Sequence, residues 1–85
     1  MTPQKVIQTH EQYMREAVAA AANGIRSNCG GPFGAVVVCA GQVIARACNR
    51  VVKDCDPTAH AEVNAIREAC RVLGRFHLED CELYA

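Results

Sequence analysis

The sequence predicts an α/β fold running helix, strand, strand, helix, strand, and three observations carry that prediction. Residues 10–23 repeat apolar side chains at helical spacing. Two β-rich runs, "AVVVCA" (35–40) and "VIARACNRV" (43–51), are parted by Gly41-Gln42. A second helical pattern, "DPTAHAEVNAIREACRVLG" (56–74), closes on glycine. This order begins a three-layer sandwich with helices on both faces of one sheet. The 85 residues amount to one domain, 1–85. A domain of that size buries only ~60–65% of the surface its unfolded chain exposes.

Each element has its own signal. Thr9 with Gln12 three positions on forms a capping-box pattern for the first helix. An alternative start lies at Thr2, with Pro3 in the first turn. Tyr13, Met14, Ala17, Val18, Ala21 and Ala22 make its apolar face, and Asn23-Gly24 supplies a left-handed stop. "SNCGGPFG" (27–34) is a loop by its glycines and proline. The first strand is β-branched and apolar throughout, as expected of one buried on both faces. The second alternates, with Val43, Ala45 and Ala47 on one face and Ile44, Arg46 and Cys48 on the other. "VKDCDPT" is polar and irregular. The second helix is expected to begin at an Asp56 N-cap with Pro57 in the first position. Its buried stripe is Val63 or Ala65, then Ile66, Ala69, Cys70 and Leu73, with Asn64, Arg67, Glu68 and Arg71 turned to water or an interface. Gly74 stops it, and "ELYA" (82–85) starts a third strand.

Composition narrows the function. Nine basic residues balance nine acidic ones, and no basic stripe marks a nucleic-acid surface. No apolar run approaches the ~20 residues a membrane span needs. The N-terminus "MTPQKVIQTHEQ" lacks the apolar centre of a signal peptide, so a cytoplasmic protein is expected. The six cysteines, with no CxxC pair among them, then read mostly as small hydrophobes; Cys39, Cys48 and Cys70 fall in apolar positions.

His60 and Glu62 are the residues that carry chemistry. Two apart, they point to opposite sides of a helix interior, but in the first turn both reach over the unpaired backbone N–H groups. A metal held there by neutral imidazole lowers the pKa of bound water to ~7. A carboxylate that is not a ligand then serves as general acid and base. Taken alone, however, a histidine near a helix start is an ordinary surface or capping residue, and Glu62 merely complements the helix dipole.

The longer string changes the reading. "DPTAHAEVNAIREACRVLG", followed by "DCELY" and preceded by "GGPFGAVVV" and "CNRV", resembles the zinc-dependent nucleobase deaminases of the cytidine deaminase superfamily. Within it the chain looks most like bacterial guanine deaminases. The superfamily's signature is H-x-E followed by P-C-x-x-C, and the resemblance runs from about Glu11 to Ala85. It implies a cytidine-deaminase-like α/β/α sandwich, a zinc cofactor, and hydrolysis of guanine to xanthine and ammonia. Position by position it implies that His60 is a zinc ligand and that Glu62 shuttles the proton. It further implies that the Ala61 backbone N–H and Asn49 hold the base and that Phe33 packs on the purine plane. Without the resemblance, Asn49 reads as a turn residue and Phe33 as core filling.

The family's two cysteine ligands follow the third strand, where this sequence stops. A catalytic zinc takes three protein ligands and water, and neither Cys55 nor Cys29 has ligand spacing. The expectation is therefore the first half of a deaminase, inactive by itself. Its expected partners are a small purine base and either a second copy or a complementing C-terminal segment. A tRNA adenosine or cytosine deaminase is the alternative, although "GGPFGA" and "AIREACRVLG" favour guanine. A remnant serving as an interaction module is the reading from outside enzymology.

Overall fold

The structure, a computed structural model, describes residues 10–26 and 31–85. The Thr9 cap, the alternative start at Thr2 and the loop cysteine Cys29 lie outside those residues. In chain order come α1 (His10–Arg26), β1 (Gly34–Cys39), β2 (Gln42–Cys48), α2 (Val51–Asp54), α3 (Ala61–Leu73) and β3 (Cys81–Tyr84). The sheet order is β2-β1-β3, and β1 is antiparallel to both neighbours. So β2 and β3 run the same way, and the chain crosses between them through α2 and α3. Among the described residues no helix is long and apolar enough to cross a membrane.

β1 is the centre of the core, as its composition predicts. Ala35, Val36, Val37 and Val38 are all at most 2% exposed. Their side chains alternate between two faces. Ala35 and Val37 pack with Ala45 and with Ala61, Ala65 and Ala69 of α3. Val36 and Val38 pack with Tyr13 and Ala17 of α1 and with Tyr84. The expected three layers are present, with α1 and α3 on opposite faces.

Both helices lie closer to the sheet than the expected stripes imply. α1 buries Tyr13, Ala17, Ala20 and Gly24, while Met14 and Val18 are exposed. It runs through Asn23-Gly24 to Arg26 instead of stopping there, because Gly24 is a contact and not a cap. A Cβ at Gly24 would sit 2.7 Å from Cys48 Cβ. At Gly34 the approach is tighter still: a Cβ would lie 2.2 Å from the Ala17 carbonyl oxygen and 2.4 Å from the Ala21 nitrogen. In α3 the sheet contact is a row of alanines four apart, with Ile66 exposed and Cys70 and Leu73 half-buried.

The hairpin corrects two expectations. The turn is Ala40-Gly41, not Gly41-Gln42, with φ of 52° and 76°. Positive φ at both positions is the two-residue turn whose twist matches the strands. The register then slips between Val37↔Ala45 and Val38↔Val43, which leaves Ile44 as an extra residue. That bulge reverses the alternation. Ile44 joins Ala45 and Ala47 on the α3 side, and Val43 goes to the α1 side.

The second helix begins at Ala61, not at Asp56, and the polar stretch before it holds a four-residue helix, α2. Asp56 uses its side chain locally: Oδ1 accepts the Thr58 N–H at 2.8 Å and the Thr58 hydroxyl at 2.7 Å. The Ala59 N–H returns to the Asp56 carbonyl at 3.1 Å. Residues 56–59 therefore form a turn, and His60, extended at φ −68° and ψ 153°, becomes the N-cap of α3. Gly74 ends the helix in the left-handed conformation, as expected, at φ 67°. The third strand starts one residue early, at Cys81.

Candidate active site

The end of β2, the short α2 and the start of α3 are laced together by their backbones. The Asn49 N–H donates to the Phe33 carbonyl at 3.0 Å and the Arg50 N–H to the Ala59 carbonyl at 2.9 Å. Asn49 Oδ1 accepts the N–H of Val51, the first residue of α2, at 3.1 Å. Arg50 and Asp54 close α2 with a two-pronged pair, Nε to Oδ2 and Nη2 to Oδ1, both at 3.0 Å. The Arg50 hydrogen bond holds the Asp54 carboxyl below its ordinary pKa. Hydrogen bonds from the Thr58 hydroxyl and N–H do the same for Asp56.

On this frame His60 and Glu62 meet. His60 Nδ1 lies 3.2 Å from Glu62 Oε1, and both side chains are about half exposed. The later helix start matters, because His60 precedes the helix and Glu62 is its second residue. The two side chains can therefore approach where helix geometry would part them. Ala61 stands between them, its side chain buried and its N–H, as that of a first helical residue, without an intrahelical acceptor. Phe33 is 61% exposed and is not core filling.

One residue of this lattice escaped the sequence reading. Asn64, expected to face water or an interface, donates from Nδ2 to the Cys48 carbonyl at 3.0 Å and the Ala59 carbonyl at 3.1 Å. Its backbone N–H donates to the His60 carbonyl at 2.9 Å. Asn64 thus ties the His60 segment to the end of β2. Its place, three residues after Ala61 and beside Ala65 on the edge of the alanine stripe, is the signal that finds it.

His60 is a good zinc donor, but one ligand is not a catalytic site. Among the described residues the one group of three potential ligand atoms within 4.8 Å of one another is Cys39, Asp80 and Cys81. It lies at the far end of β1 from His60. The described residues alone therefore do not fit a catalytic zinc. A hollow of about 300 Å³ between α1 and β2, lined by residues such as Glu16, Gly24 and Arg46, also contains none of these site residues.

Residues 7–85 match the family described as the cytidine and deoxycytidylate deaminase zinc-binding region. The chain belongs to this family. It is similar to the guanine deaminase of Bacillus subtilis (strain 168), 53% identical over 75 residues, which cover 88% of this chain and 48% of that protein. It is 55% identical over 53 residues to the tRNA-specific adenosine deaminase of Aquifex aeolicus, covering 62% of this chain and 35% of that one. The X-ray structure of guanine deaminase from Bacillus subtilis superposes with a TM-score of 0.87 at 52% identity, covering 91% of this chain and 49% of that one. This family likeness carries the cytidine-deaminase-like fold. The chain spans about half the length of the guanine deaminase and about a third of the tRNA deaminase it matches.

Proposed function

We propose that this deaminase-family chain is the His-and-Glu half of a hydrolytic guanine deaminase. In this reading residues 1–85 are one incomplete domain, cytoplasmic, working as a dimer or with a complementing segment. The observation that carries the reading is the approach of His60 to Glu62 at 3.2 Å across the start of α3, beside the Ala61 N–H, which has no intrahelical acceptor.

The roles follow from those positions. His60 supplies one imidazole ligand, and two cysteines come from the complementing segment. Zinc, when bound, makes a nucleophilic water available at neutral pH. Glu62 accepts a proton on its carboxylate, returns it to a ring nitrogen of the base, and then serves the amine that leaves as ammonia. The balance is guanine plus water giving xanthine plus ammonia. The Ala61 N–H donates to the base. Asn49 has its Oδ1 engaged by Val51, which leaves its NH2 group to meet the base edge. Phe33, exposed beside Asn49, lies against the purine plane. The outer strand β3, with Leu83 45% and Phe76 94% exposed nearby, is the edge against which the complementing segment docks.

The identity to a tRNA-specific adenosine deaminase supports a second reading, the wobble adenosine of a tRNA. The zero formal net charge weighs against it. The test is native mass spectrometry and zinc analysis of the protein from its source, with ammonia release measured on guanine and on an adenosine-bearing anticodon stem-loop. One zinc per His60 site with turnover of guanine supports the first reading, and turnover of the stem-loop alone supports the second. A zinc-free assembly of 9.2 kDa chains with neither activity overturns both.

A further inference from the structure

We propose that Cys39 and Cys81 form a reversible dithiol–disulfide site, closed by a peroxide and reopened by a small thiol, at the end of the sheet opposite His60. The two cysteines are directly opposed partners on adjacent antiparallel strands. Cys39 is also the residue before the two-residue Ala40-Gly41 turn, paired across it with Gln42. The pair that closes such a turn is the hydrogen-bonded kind, so the backbone N–H and C=O of Cys39 point to β2. Toward β3 it must then belong to the other, non-hydrogen-bonded kind. The Cys81 N–H agrees, since it donates to the Leu78 carbonyl at 2.9 Å and not to Cys39. Partners of that kind stand ~4.5 Å apart at Cα, inside the ~4.4–6.8 Å that a disulfide spans. The two sulfurs and an Asp80 oxygen already lie within 4.8 Å of one another.

The neighbours favour sulfur chemistry over a bound cation. Both thiols lean on Asp80, Cys39 Sγ at 3.7 Å from Oδ2 and Cys81 Sγ at 3.6 Å from Oδ1. Arg75 Nη2 donates to Asp80 Oδ2 at 2.9 Å and approaches Cys39 Sγ to 3.9 Å. A guanidinium beside the Cys39 sulfur thus already supplies the positive charge that the Asp80 carboxylate would otherwise draw from a metal ion. The same guanidinium is a partner for negative charge on the Cys39 sulfur. Burial, followed by the hydrogen bond with Cys39, pushes the Cys81 thiol up to about 11. The approach of the Arg75 guanidinium to the Cys39 sulfur assigns Cys39 as the attacking sulfur and Cys81 as the resolving one. Both are half-buried, so a small oxidant reaches them.

The step balances. The deprotonated Cys39 sulfur attacks one oxygen of hydrogen peroxide, the O–O bond breaks, and the departing hydroxide takes a proton to become water. The Cys81 sulfur, giving up its proton, attacks the resulting sulfenic sulfur; the S–O bond breaks and a second water leaves. Two thiols and one peroxide become one disulfide and two waters, the sulfurs oxidised and the peroxide oxygens reduced. The bond would clip β3 to β1, about 17 Å along β1 from Gly34 at the His60 end.

The test treats the 85-residue chain with hydrogen peroxide, blocks the remaining thiols and digests with trypsin without reductant. The titratable thiols are expected to fall from six to four, with peptide 76–85 joined to peptide 27–46. Fragment ions should place the link on Cys39 and not on Cys29, and dithiothreitol should restore both thiols. Cys39→Ser should abolish the link, whereas Cys70→Ser, on the same face of the sheet, should leave it. A link from Cys81 to Cys70 would overturn the proposal. So would separate over-oxidation of Cys39 and Cys81, or protection of both thiols from alkylation by added zinc.

Discussion

Asn64 donates one side-chain amide to the carbonyl of Cys48, 3.0 Å away and on another element, while sharing that amide with Ala59. One nitrogen thus joins two carbonyls from segments that must meet for His60 to stand at the end of β2, the Ala59 carbonyl also accepting the Arg50 N–H. Loss of a hydrogen bond whose acceptor keeps another partner costs ~0.5–1.5 kcal/mol. Asn64→Ala is expected to lower unfolding free energy by about that much in urea titration. Asn64→Asp should be worse at neutral pH, because a carboxylate then faces two carbonyl oxygens, and should recover as the carboxyl is protonated. Equal stabilities for the two variants at pH 7 would show that the amide is not the tie.

Gly34 and Gly41 provide a matched pair of alanine substitutions. At Gly34 the new methyl meets backbone atoms of α1 at 2.2 and 2.4 Å, and backbone cannot swing aside. At Gly41 there is open space, but φ is +76°. Overpacking costs ~1–3 kcal/mol and often more against backbone, whereas a left-handed non-glycine residue costs ~1–2 kcal/mol. Thermal unfolding should therefore rank Gly34→Ala below Gly41→Ala, with Gly34→Ala also loosening α1 in hydrogen exchange. The reverse order would mean that α1 is free to move outward.

What the sequence made legible, and what it hid, divides along local and tertiary causes. β1 was readable because an unbroken apolar β-branched run has one good home, a strand covered on both faces. Gly74 was readable because a helix stop is a local event. The bulge at Ile44 was not, since register is set by the partner strand and a slip of one residue leaves no mark in the alternation of β2 itself. The start of α3 was misplaced for a similar reason. Asp56 and Pro57 are as good at opening a turn as a helix, and the bond from Arg50 to Ala59 decides between them. The Arg50 and Asp54 spacing of four was a sign of α2 that composition obscured. His60 and Glu62 stood out in the sequence as candidates, but their approach at 3.2 Å rests on the helix beginning after His60.

Acid should weaken the fold in two separable ways. Asp54 and Asp80 are held below their ordinary pKa by hydrogen bonds from Arg50 and Arg75, and Asp56 by those from Thr58. A carboxyl whose folded pKa is depressed stabilises the fold fully above its unfolded value, here 3.8, and loses that contribution as pH falls through the lowered value. Stability is therefore expected to be flat from pH 7 to about 5 and to fall below 4. Concentrated salt should shrink the share from Asp54 and Asp80, which face guanidinium groups, more than that of Asp56, whose hydrogen-bond donors are neutral and which feels Arg67 only weakly. Urea titrations of Asp54→Asn and Asp56→Asn across pH and salt check this, and equal salt sensitivity would refute the division.

His60 and Glu62 should separate in a zinc-loaded, complete assembly containing this chain. Removing the imidazole removes a ligand, so His60→Ala is expected to lose zinc, read directly by metal analysis after dialysis. Removing the carboxylate takes no ligand away: Glu62→Ala should keep its zinc and lose turnover by ~10²–10⁴-fold, the usual worth of a positioned acid–base group. Glu62→Gln keeps the shape and a hydrogen bond toward His60 but cannot carry the proton, so it should be as slow as the alanine variant. Turnover near normal in Glu62→Gln would make the 3.2 Å contact with His60 a matter of orientation alone. Full zinc content in His60→Ala would take His60 out of the metal site.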